Sequence, residues 1–330
     1  MATDLPARVR YQAENANRCY YCAGRTPFIM KDAGKILVLR GGAVGDFILT
    51  LPAIVALREQ YPHARLELAA YPRVARLVLE TGVVDAFISL DSAEIASLFS
   101  PGTESRQRLI GFDLIVSYLR DTDGIVRSNL ERTGCARVIT ADPLPAAGTH
   151  AADHLASILS EAGISAPYPA IPRLNLFSVK RAAGNRMIIH PGSGGSWKNW
   201  SASGFVELAR IAAEQLQAEP VFTFGEADAV VREEIVSRYP DVRILPECDL
   251  YELAIELASC RGYVGNDSGI THLAATAGAG VVALFGPTDP AVWGPRGNNV
   301  RVLQFDEADG LSSLPPERVF AAVQELWCGD

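Results

Sequence analysis

The sequence predicts an α/β protein with two doubly wound, parallel-sheet, Rossmann-like domains that face a cleft. Short apolar runs alternate with stretches of helical length along most of the 330 residues. This alternation is typical of parallel sheets that are covered by helices on both faces. A proline-rich interval interrupts it near the middle, and the chain is long enough for two cores of ordinary size.

Composition and charge are typical of a soluble globular protein. The chain is 48% hydrophobic, and its net charge of −8 argues against nucleic acid as a partner. Six scattered cysteines favour a reducing compartment over a disulfide framework. Neither a secretory leader nor a membrane-spanning run is visible. We therefore expect a cytoplasmic protein, with peripheral contact at the inner face of the cell membrane left open.

The predicted domains are an N-terminal extension (1–34), a first Rossmann-like domain (35–165), a linker (166–186) and a second Rossmann-like domain (187–330). The extension contains Cys19 and Cys22 as a lone CxxC pair. A structural zinc site needs four ligands, and no second pair completes one. Two cysteines without a metal are the preferred interpretation.

Apolar runs and helical spacing predict the elements of both domains. In the first domain, strands are predicted at 35–40, 65–70, 86–90, 112–119 and 137–140, and helices at 47–60, 73–80, 124–132 and 150–162. In the second, strands are predicted at 187–190, 220–224, 242–245, 262–265, 281–285 and 300–305, and helices at 201–217, 228–239, 250–260, 270–277 and 315–327.

One stretch, YVGNDSGITHLAATAGAGVVALFGPTDPAVWGP, predicts a strand–helix–strand unit. Asp267, Ser268 and Gly269 lie at the helix start, where the first N–H groups lack intrahelical acceptors and the dipole favours an anion. A phosphate-bearing ligand fits such a position. The residues alone leave open that Asp267 is only a helix cap and His272 only a structural histidine.

The same stretch closely resembles the nucleotide-sugar end of glycosyltransferase family 9, the ADP-heptose:lipopolysaccharide heptosyltransferases. Its D-[ST]-G-x-x-H-L-A-A core, followed by L-F-G-P-T-D-P, carries the resemblance. RGGAVGDFILTLPA near the N-terminus and HPGSGGSWKNW in the second domain extend it in the family's order. It covers most of the chain from about residue 35, and its two-domain architecture is called GT-B.

The resemblance implies two catalytic residues. Asp46 stands where the family places the base that removes a proton from the acceptor hydroxyl. Lys198 stands where the family places a lysine on the donor phosphates, and Ser193 and Gly194 precede it in a loop whose N–H groups could help. The alternatives are that Asp46 only complements the helix dipole and that Lys198 is only a solvated side chain.

The resemblance also implies the donor-binding residues. Ser268 and Gly269 would lie at the diphosphate, and Asp267 near the donor sugar. His272 is either a donor contact or a structural histidine.

The resemblance also implies an acidic residue for the ribose hydroxyls after the strand at 220–224, and Glu226 is preferred to Asp228. Arg120 is the best acceptor-binding candidate, because it ends a strand of the first domain. We expect Trp197 and Trp200 to be packing anchors.

Two motifs compete with this interpretation. GGAVG resembles a damaged dinucleotide fingerprint, but the following strand lacks the expected acidic residue at its end, which disfavours an oxidoreductase. Asp121-Thr122-Asp123 matches the metal-binding DxD of other glycosyltransferases, and we interpret it as a turn.

The sequence therefore predicts an inverting, metal-independent glycosyltransferase that needs no cofactor. By resemblance it moves heptose from ADP-heptose to a glycan or glycolipid acceptor such as lipopolysaccharide core. Two alternatives remain, namely a nucleotide-sugar epimerase or hydrolase of the same fold and a non-catalytic nucleotide-sugar-binding protein. The predicted partners are the nucleotide sugar and the acceptor, without nucleic acid.

Overall fold

The computed structural model describes residues 33–101, 107–176, 184–305 and 310–328, so Cys19, Cys22 and most of the predicted extension lie outside it. Its strands are β1 (Lys35–Leu39), β2 (Arg65–Ala70), β3 (Ala86–Ser89), β4 (Leu114–Ser117), β5 (Arg137–Thr140), β6 (Arg186–His190), β7 (Glu219–Phe222), β8 (Gly262–Asn266), β9 (Val281–Phe285) and β10 (Val300–Gln304). Its helices are α1 (Val44–Gln60), α2 (Ala75–Glu80), α3 (Ala93–Ala96), α4 (Ile125–Glu131), α5 (Ala151–Ser157), α6 (Ala202–Leu216), α7 (Ala229–Arg238), α8 (Leu250–Ser259), α9 (Gly269–Ala277), α10 (Pro290–Trp293) and α11 (Pro316–Cys328).

Two parallel sheets form the framework of the described chain. The first has the strand order β3-β2-β1-β4-β5 and the second has the order β10-β9-β8-β6-β7. In each sheet the order reverses beside an inner strand, β1 in the first and β6 in the second. Open α/β sheets bind ligands at the carboxyl ends of strands at such reversals. The predicted pair of doubly wound sheets is confirmed.

The strands form where the sequence is continuously apolar, because helices cover both faces of each sheet. All five residues of β9 are buried, and so are all five residues of β8. Helix α6 begins where Ser201 Oγ accepts a hydrogen bond from the N–H of Gly204 at 3.0 Å. Ser201 therefore caps the helix that the sequence predicts there.

Several predicted elements differ in the structure, among them the strand predicted at 112–119, which is only Leu114–Ser117, and the helix predicted at 73–80, which begins with a 3-10 turn. Residues 242–245 form only an isolated bridge between Phe222 and Ile244, since Pro240 and Pro246 flank the segment and cannot donate to a ladder. Helix α1 begins at Val44, which places Asp46 in its first turn rather than in a loop. The helix predicted at 150–162 is α5 followed by a 3-10 turn, with His150 as its N-cap.

The two sheets share a continuous apolar core. Helix α1 of the first half packs against α5 and also against α9 of the second half. The cluster around these helices joins Ile54 and Leu155 to Leu273 and Phe285. The domain limits remain predictions. In the described residues, no helix combines the length and apolar character that a bilayer crossing requires.

Candidate active site

A cavity of about 700 Å³ opens at the carboxyl ends of β1, β6, β7 and β8. Nine of the ten predicted site residues lie in its wall, namely Asp46, Ser193, Gly194, Lys198, Glu226, Asp267, Ser268, Gly269 and His272. Arg120 is exposed beyond the end of β4 and is not part of this wall. Its acceptor role stays a prediction, whereas Arg73, which the sequence analysis did not single out, does line the cavity.

Two donors orient the Asp46 carboxylate. Its Oδ2 accepts a hydrogen bond from the N–H of Ala43 at 2.8 Å, and its Oδ1 lies 3.3 Å from Nη2 of Arg40. The Asp46 side chain is 35% exposed, whereas that of Arg40 is 4% exposed. Asp46 therefore complements the start of α1 and also faces the cavity, so the two interpretations of this residue are compatible.

Arg40 is a functional candidate that the sequence analysis missed. Its guanidinium also donates to the carbonyl groups of Asp46 and Tyr118. Burial lowers the pKa of Arg40, and the charge of Asp46 opposes that shift. An arginine stays protonated at neutral pH, so a positive charge lies permanently behind the carboxylate. Its position at the end of the first strand, in the motif RGGAVGD, is the sequence feature that could have identified it.

The first turns of α1 and α9 meet at two glycines. A Cβ atom added to Gly269 would lie 2.8 Å from the backbone nitrogen of Gly45, so only glycine permits this approach. Ser268 caps α9 by accepting a hydrogen bond from the N–H of Thr271 at 3.3 Å. Two positive helix ends therefore converge on the wall of one cavity, which favours an anionic ligand there.

Lys198 forms an ion pair at the start of α9. Its Nζ lies 2.7 Å from Oδ2 of Asp267, which is nearly buried. The adjacent Trp197 is 67% exposed, so the expectation that it anchors packing is wrong. A tight 3-10 turn at Ser196–Lys198 points its ring outward. Trp200 is buried, and its Nε1 donates to the carbonyl of Leu314, as expected of an anchor.

His272 is a buried member of the cavity wall. Burial lowers its pKa to about 4, because a low-dielectric environment disfavours the charged ring. The negative charges of Asp267 and Asp46 oppose this shift, whereas His150 and Lys198 contribute to it. The ring is therefore neutral at neutral pH.

His190 and Asp228 form a buried pair that the sequence analysis also missed. Their Nε2 and Oδ2 atoms are 3.1 Å apart, and the N–H of Gly225 donates to the same carboxylate oxygen at 2.6 Å. Burial alone would raise the pKa of Asp228, but His190 lowers it overall. Because Asp228 is engaged in this way, the exposed Glu226 in the cavity wall remains the better ribose candidate.

The DxD sequence forms a turn. The two carboxylate oxygens of Asp121 accept hydrogen bonds from the N–H groups of Val126 and Arg127, and Asp123 accepts one from Ile125. Both aspartates thereby accept hydrogen bonds from the first turn of α4, and they form the turn that the sequence analysis predicts. Over the ranges that the structure describes, no group of three or more His, Cys, Asp or Glu side chains is arranged to hold a metal ion.

Comparison with known proteins gives concordant matches. Residues 161–312 match the family described as glycosyltransferase family 9 (heptosyltransferase). Lipooligosaccharide heptosyltransferase 2 of Haemophilus influenzae is 32% identical over 122 residues, which are 35% of each chain. Lipopolysaccharide heptosyltransferase 3 of Escherichia coli is 26% identical over 334 residues, which cover 86% of this chain and 96% of the relative.

A solved structure extends the likeness to the fold. The E. coli heptosyltransferase WaaC with ADP superposes with a TM-score of 0.71 at 19% identity, covering 88% of this chain and 99% of that one. The two facing sheets and this likeness define a protein of the GT-B class. The family match over residues 161–312 and the sequence relatives show that the chain is similar to the heptosyltransferases of glycosyltransferase family 9. The match to the Haemophilus protein spans about a third of that relative's length.

Proposed function

We propose that the protein is an inverting, metal-independent heptosyltransferase that transfers heptose from ADP-heptose to an acceptor of lipopolysaccharide-core type. The match of residues 161–312 to glycosyltransferase family 9 supports the reaction class. A relative aligned over nearly its whole length is a lipopolysaccharide heptosyltransferase, which supports the acceptor class. The E. coli heptosyltransferase WaaC, whose fold is the same, has been solved with ADP, which supports the donor nucleotide.

The observation that carries the proposal is the contact between α1 and α9 at the cavity. The first turn of α1 presents the Asp46 carboxylate, and the first turn of α9 presents backbone N–H groups and the Ser268 cap. A base and an anion site thus lie side by side, one from each half of the chain. A displacement at an anomeric carbon needs this pairing, because the acceptor loses a proton as the diphosphate leaves.

In the proposed reaction, one residue accepts a proton and other groups stabilise the leaving diphosphate. Asp46 accepts the proton of the acceptor hydroxyl while that oxygen forms its bond to the anomeric carbon. The bond from that carbon to the diphosphate breaks, and its electron pair stays on the diphosphate oxygen. Lys198 and the N–H groups at Gly194 and Gly269 stabilise this charge, which is why we expect no metal requirement.

Calorimetric titration tests the donor. We expect ADP to bind more tightly than UDP or GDP, with an affinity that a chelator leaves unchanged. A preference for UDP or GDP would contradict the heptose donor, and loss of binding with the chelator would contradict the metal-independent mechanism. Failure of all three nucleotides to bind would reject the nucleotide-diphosphate donor and with it the proposed function.

Substitution of Asp46 tests the base. We expect Asp46→Asn to slow transfer by about 10²- to 10⁴-fold, because the amide cannot accept the proton, while ADP affinity stays within about twofold. Asp91→Asn, which changes an exposed aspartate outside the cavity wall, is the matched control. Full transfer activity in Asp46→Asn would reject Asp46 as the base.

Substitution of Lys198 by alanine tests its role at the donor phosphates. We expect weaker ADP binding together with slower transfer, because the ammonium interacts with the donor phosphates. If transfer were unaffected in Lys198→Ala and donor binding were lost in Asp46→Asn, the two roles would be reversed.

A further inference from the structure

A series of hydrogen-bonded polar groups extends from the donor side of the cavity wall into the protein, and of these the mechanism above uses only Ser268. It begins with the pair of Asp228 Oδ2 and His190 Nε2. On the other side of the ring, Nδ1 of His190 lies 3.4 Å from Oγ of Ser268, which caps α9. Ser268 Oγ in turn lies 3.1 Å from Oγ1 of Thr271. Each of these four side chains is at most 9% exposed.

At the far end of this series, the donor and acceptor roles of Thr271 are determined by its neighbours. The hydroxyl of Thr271 donates to the carbonyl of Asn266, so its only proton is used there. The hydroxyl oxygen of Tyr263 lies 3.0 Å from Oγ1 of Thr271, and the same hydroxyl also hydrogen-bonds to Ser268. Thr271 Oγ1 can consequently act towards Ser268 only as an acceptor.

Counting protons then distinguishes two states of His190. In both, Nε2–H donates to Asp228. If Nδ1 is unprotonated, it accepts the single proton of Ser268, and the contact from Ser268 to Thr271 contains no proton. If Nδ1 is protonated, it donates to Ser268, whose own proton goes to Thr271. Only the protonated ring places a proton in the contact between Ser268 and Thr271.

From this geometry we propose that His190 is a positioning residue that takes up a proton from solvent when the donor diphosphate binds. The neutral imidazole becomes an imidazolium between Asp228 and Ser268, and the Ser268 hydroxyl rotates from Nδ1 to Thr271. The added positive charge lies at the start of α9, beneath the diphosphate. The inference rests on the proposed nucleotide-diphosphate donor.

The charges around His190 explain why the ligand controls this step. The titratable and charged groups on the neighbouring elements are Asp228, Glu226, Tyr263, Asp267, Lys198 and His272. Lys198 and Asp267 neutralise each other in their ion pair, and Asp228 is the direct counter-ion of the ring. A diphosphate adds more than one negative charge to this wall and so favours the protonated ring.

Calorimetric titration of ADP at about pH 8 tests the proposal, because the free nucleotide and an ordinary histidine are both deprotonated there. Repeating the titration in buffers of different ionisation enthalpy yields the number of protons taken up. We expect about half a proton to one proton per ADP in the wild-type protein. We expect almost none in His190→Gln, and the wild-type value in His63→Gln, which changes an exposed histidine far from the cavity.

Nitrogen NMR of the wild-type protein provides a readout that needs no folded variant at this position. The ring of His190 should change from one protonated nitrogen to two when ADP is added, and Asp228→Asn should weaken this change. ADP binding without proton uptake, and with Nδ1 still unprotonated, would overturn the inference and leave the proposed function intact. Absence of ADP binding would remove the proposed function itself.

Discussion

Gly42 allows the carboxylate of Asp46 to reach its place. Its φ is +91°, in the left-handed region that glycine adopts most easily. A Cβ atom added there would lie 2.7 Å from Oδ2 of Asp46, the oxygen that accepts the N–H of Ala43. The glycine in RGGAVGD therefore serves both the backbone turn and the orientation of the proposed base.

We expect Gly42→Ala to slow transfer by about 10- to 100-fold, because the displaced carboxylate no longer meets the acceptor correctly. Gly111→Ala is the matched control, since its φ is +83° and nothing lies within 4 Å of the added atom. Both variants should lose roughly 1–2 kcal/mol of unfolding free energy through left-handed strain. Equal transfer rates in the two variants, measured beside their urea unfolding curves, would contradict the proposed orientation of Asp46.

His272 predicts how stability depends on pH. Its pKa is about 4 in the folded chain, well below the value of about 6.5 expected after unfolding. Between these values the unfolded chain binds a proton that the folded chain does not. The unfolding free energy should therefore be constant above about pH 7 and fall as the pH drops to 4, by at most about 1.4 kcal/mol per pH unit for this residue.

His150 contributes in the same direction, since burial lowers its pKa as well. Carboxylates with lowered pKa values, such as Asp153 and Asp228, lose their stabilising effect only below about pH 4. Urea unfolding of His272→Asn from pH 7 to pH 4 should show a shallower decline than the wild type. An unchanged slope would show that His272 is not the group responsible.

At the scale of elements, the contact between α1 and α9 brings the base and the anion site together. Gly269 has no room for a side chain, because an added Cβ would lie 2.8 Å from backbone nitrogen. A Cβ atom added to Gly45 would lie 3.3 Å from its nearest neighbour, a ring atom of His272, and a small shift of the ring relieves this contact. The two glycines therefore differ in what they tolerate.

We expect Gly269→Ala to push the start of α9 away from α1 and to weaken ADP binding by about tenfold through lost alignment of the helix end. Gly45→Ala should have a smaller effect on the same calorimetric affinity. The reverse order would show that the spacing of the two helix ends does not determine donor binding.

The elements also show where local sequence suffices. Strand β2 and strand β5 have the predicted bounds, because continuous apolar runs between polar turns identify buried parallel strands. Residues 242–245 are apolar enough for a strand but form only one bridge, since Pro240 and Pro246 flank the segment and cannot donate to a ladder. The sequence around Trp197 likewise does not predict that the 3-10 turn at Ser196–Lys198 leaves its ring exposed.

At the scale of the whole molecule, polar contacts join the two halves outside the cavity. Arg296 makes two hydrogen bonds to the carboxylate of Asp153, at 2.6 and 2.8 Å. Nε2 of His150 donates to the carbonyl of Gly294, because its Nδ1 accepts the N–H of Ala152. These contacts bring the chain after β9 against α5 and set how the halves face each other.

We expect Asp153→Ala to lower the unfolding free energy by about 3 kcal/mol, because it leaves the part-buried Arg296 without its counter-charge. Glu131→Ala removes an exposed ion pair within α4 and should cost at most about 0.5 kcal/mol. Urea unfolding measures both changes. Similar losses in the two variants would show that the Asp153 pair contributes no more than a surface contact.

The sequence by itself determined the two doubly wound sheets and nine residues of the cavity wall. Apolar runs, glycine loops and helix starts are encoded within a few residues, and the three motifs stand at strand ends that parallel sheets bring to one edge. Tertiary structure alone decided which side chains meet. Lys198 and Asp267 are 69 residues apart, and His190 lies 38 residues from Asp228 and 78 from Ser268. Local spacing does not encode such pairs, because they form only when separate strands and helices pack together.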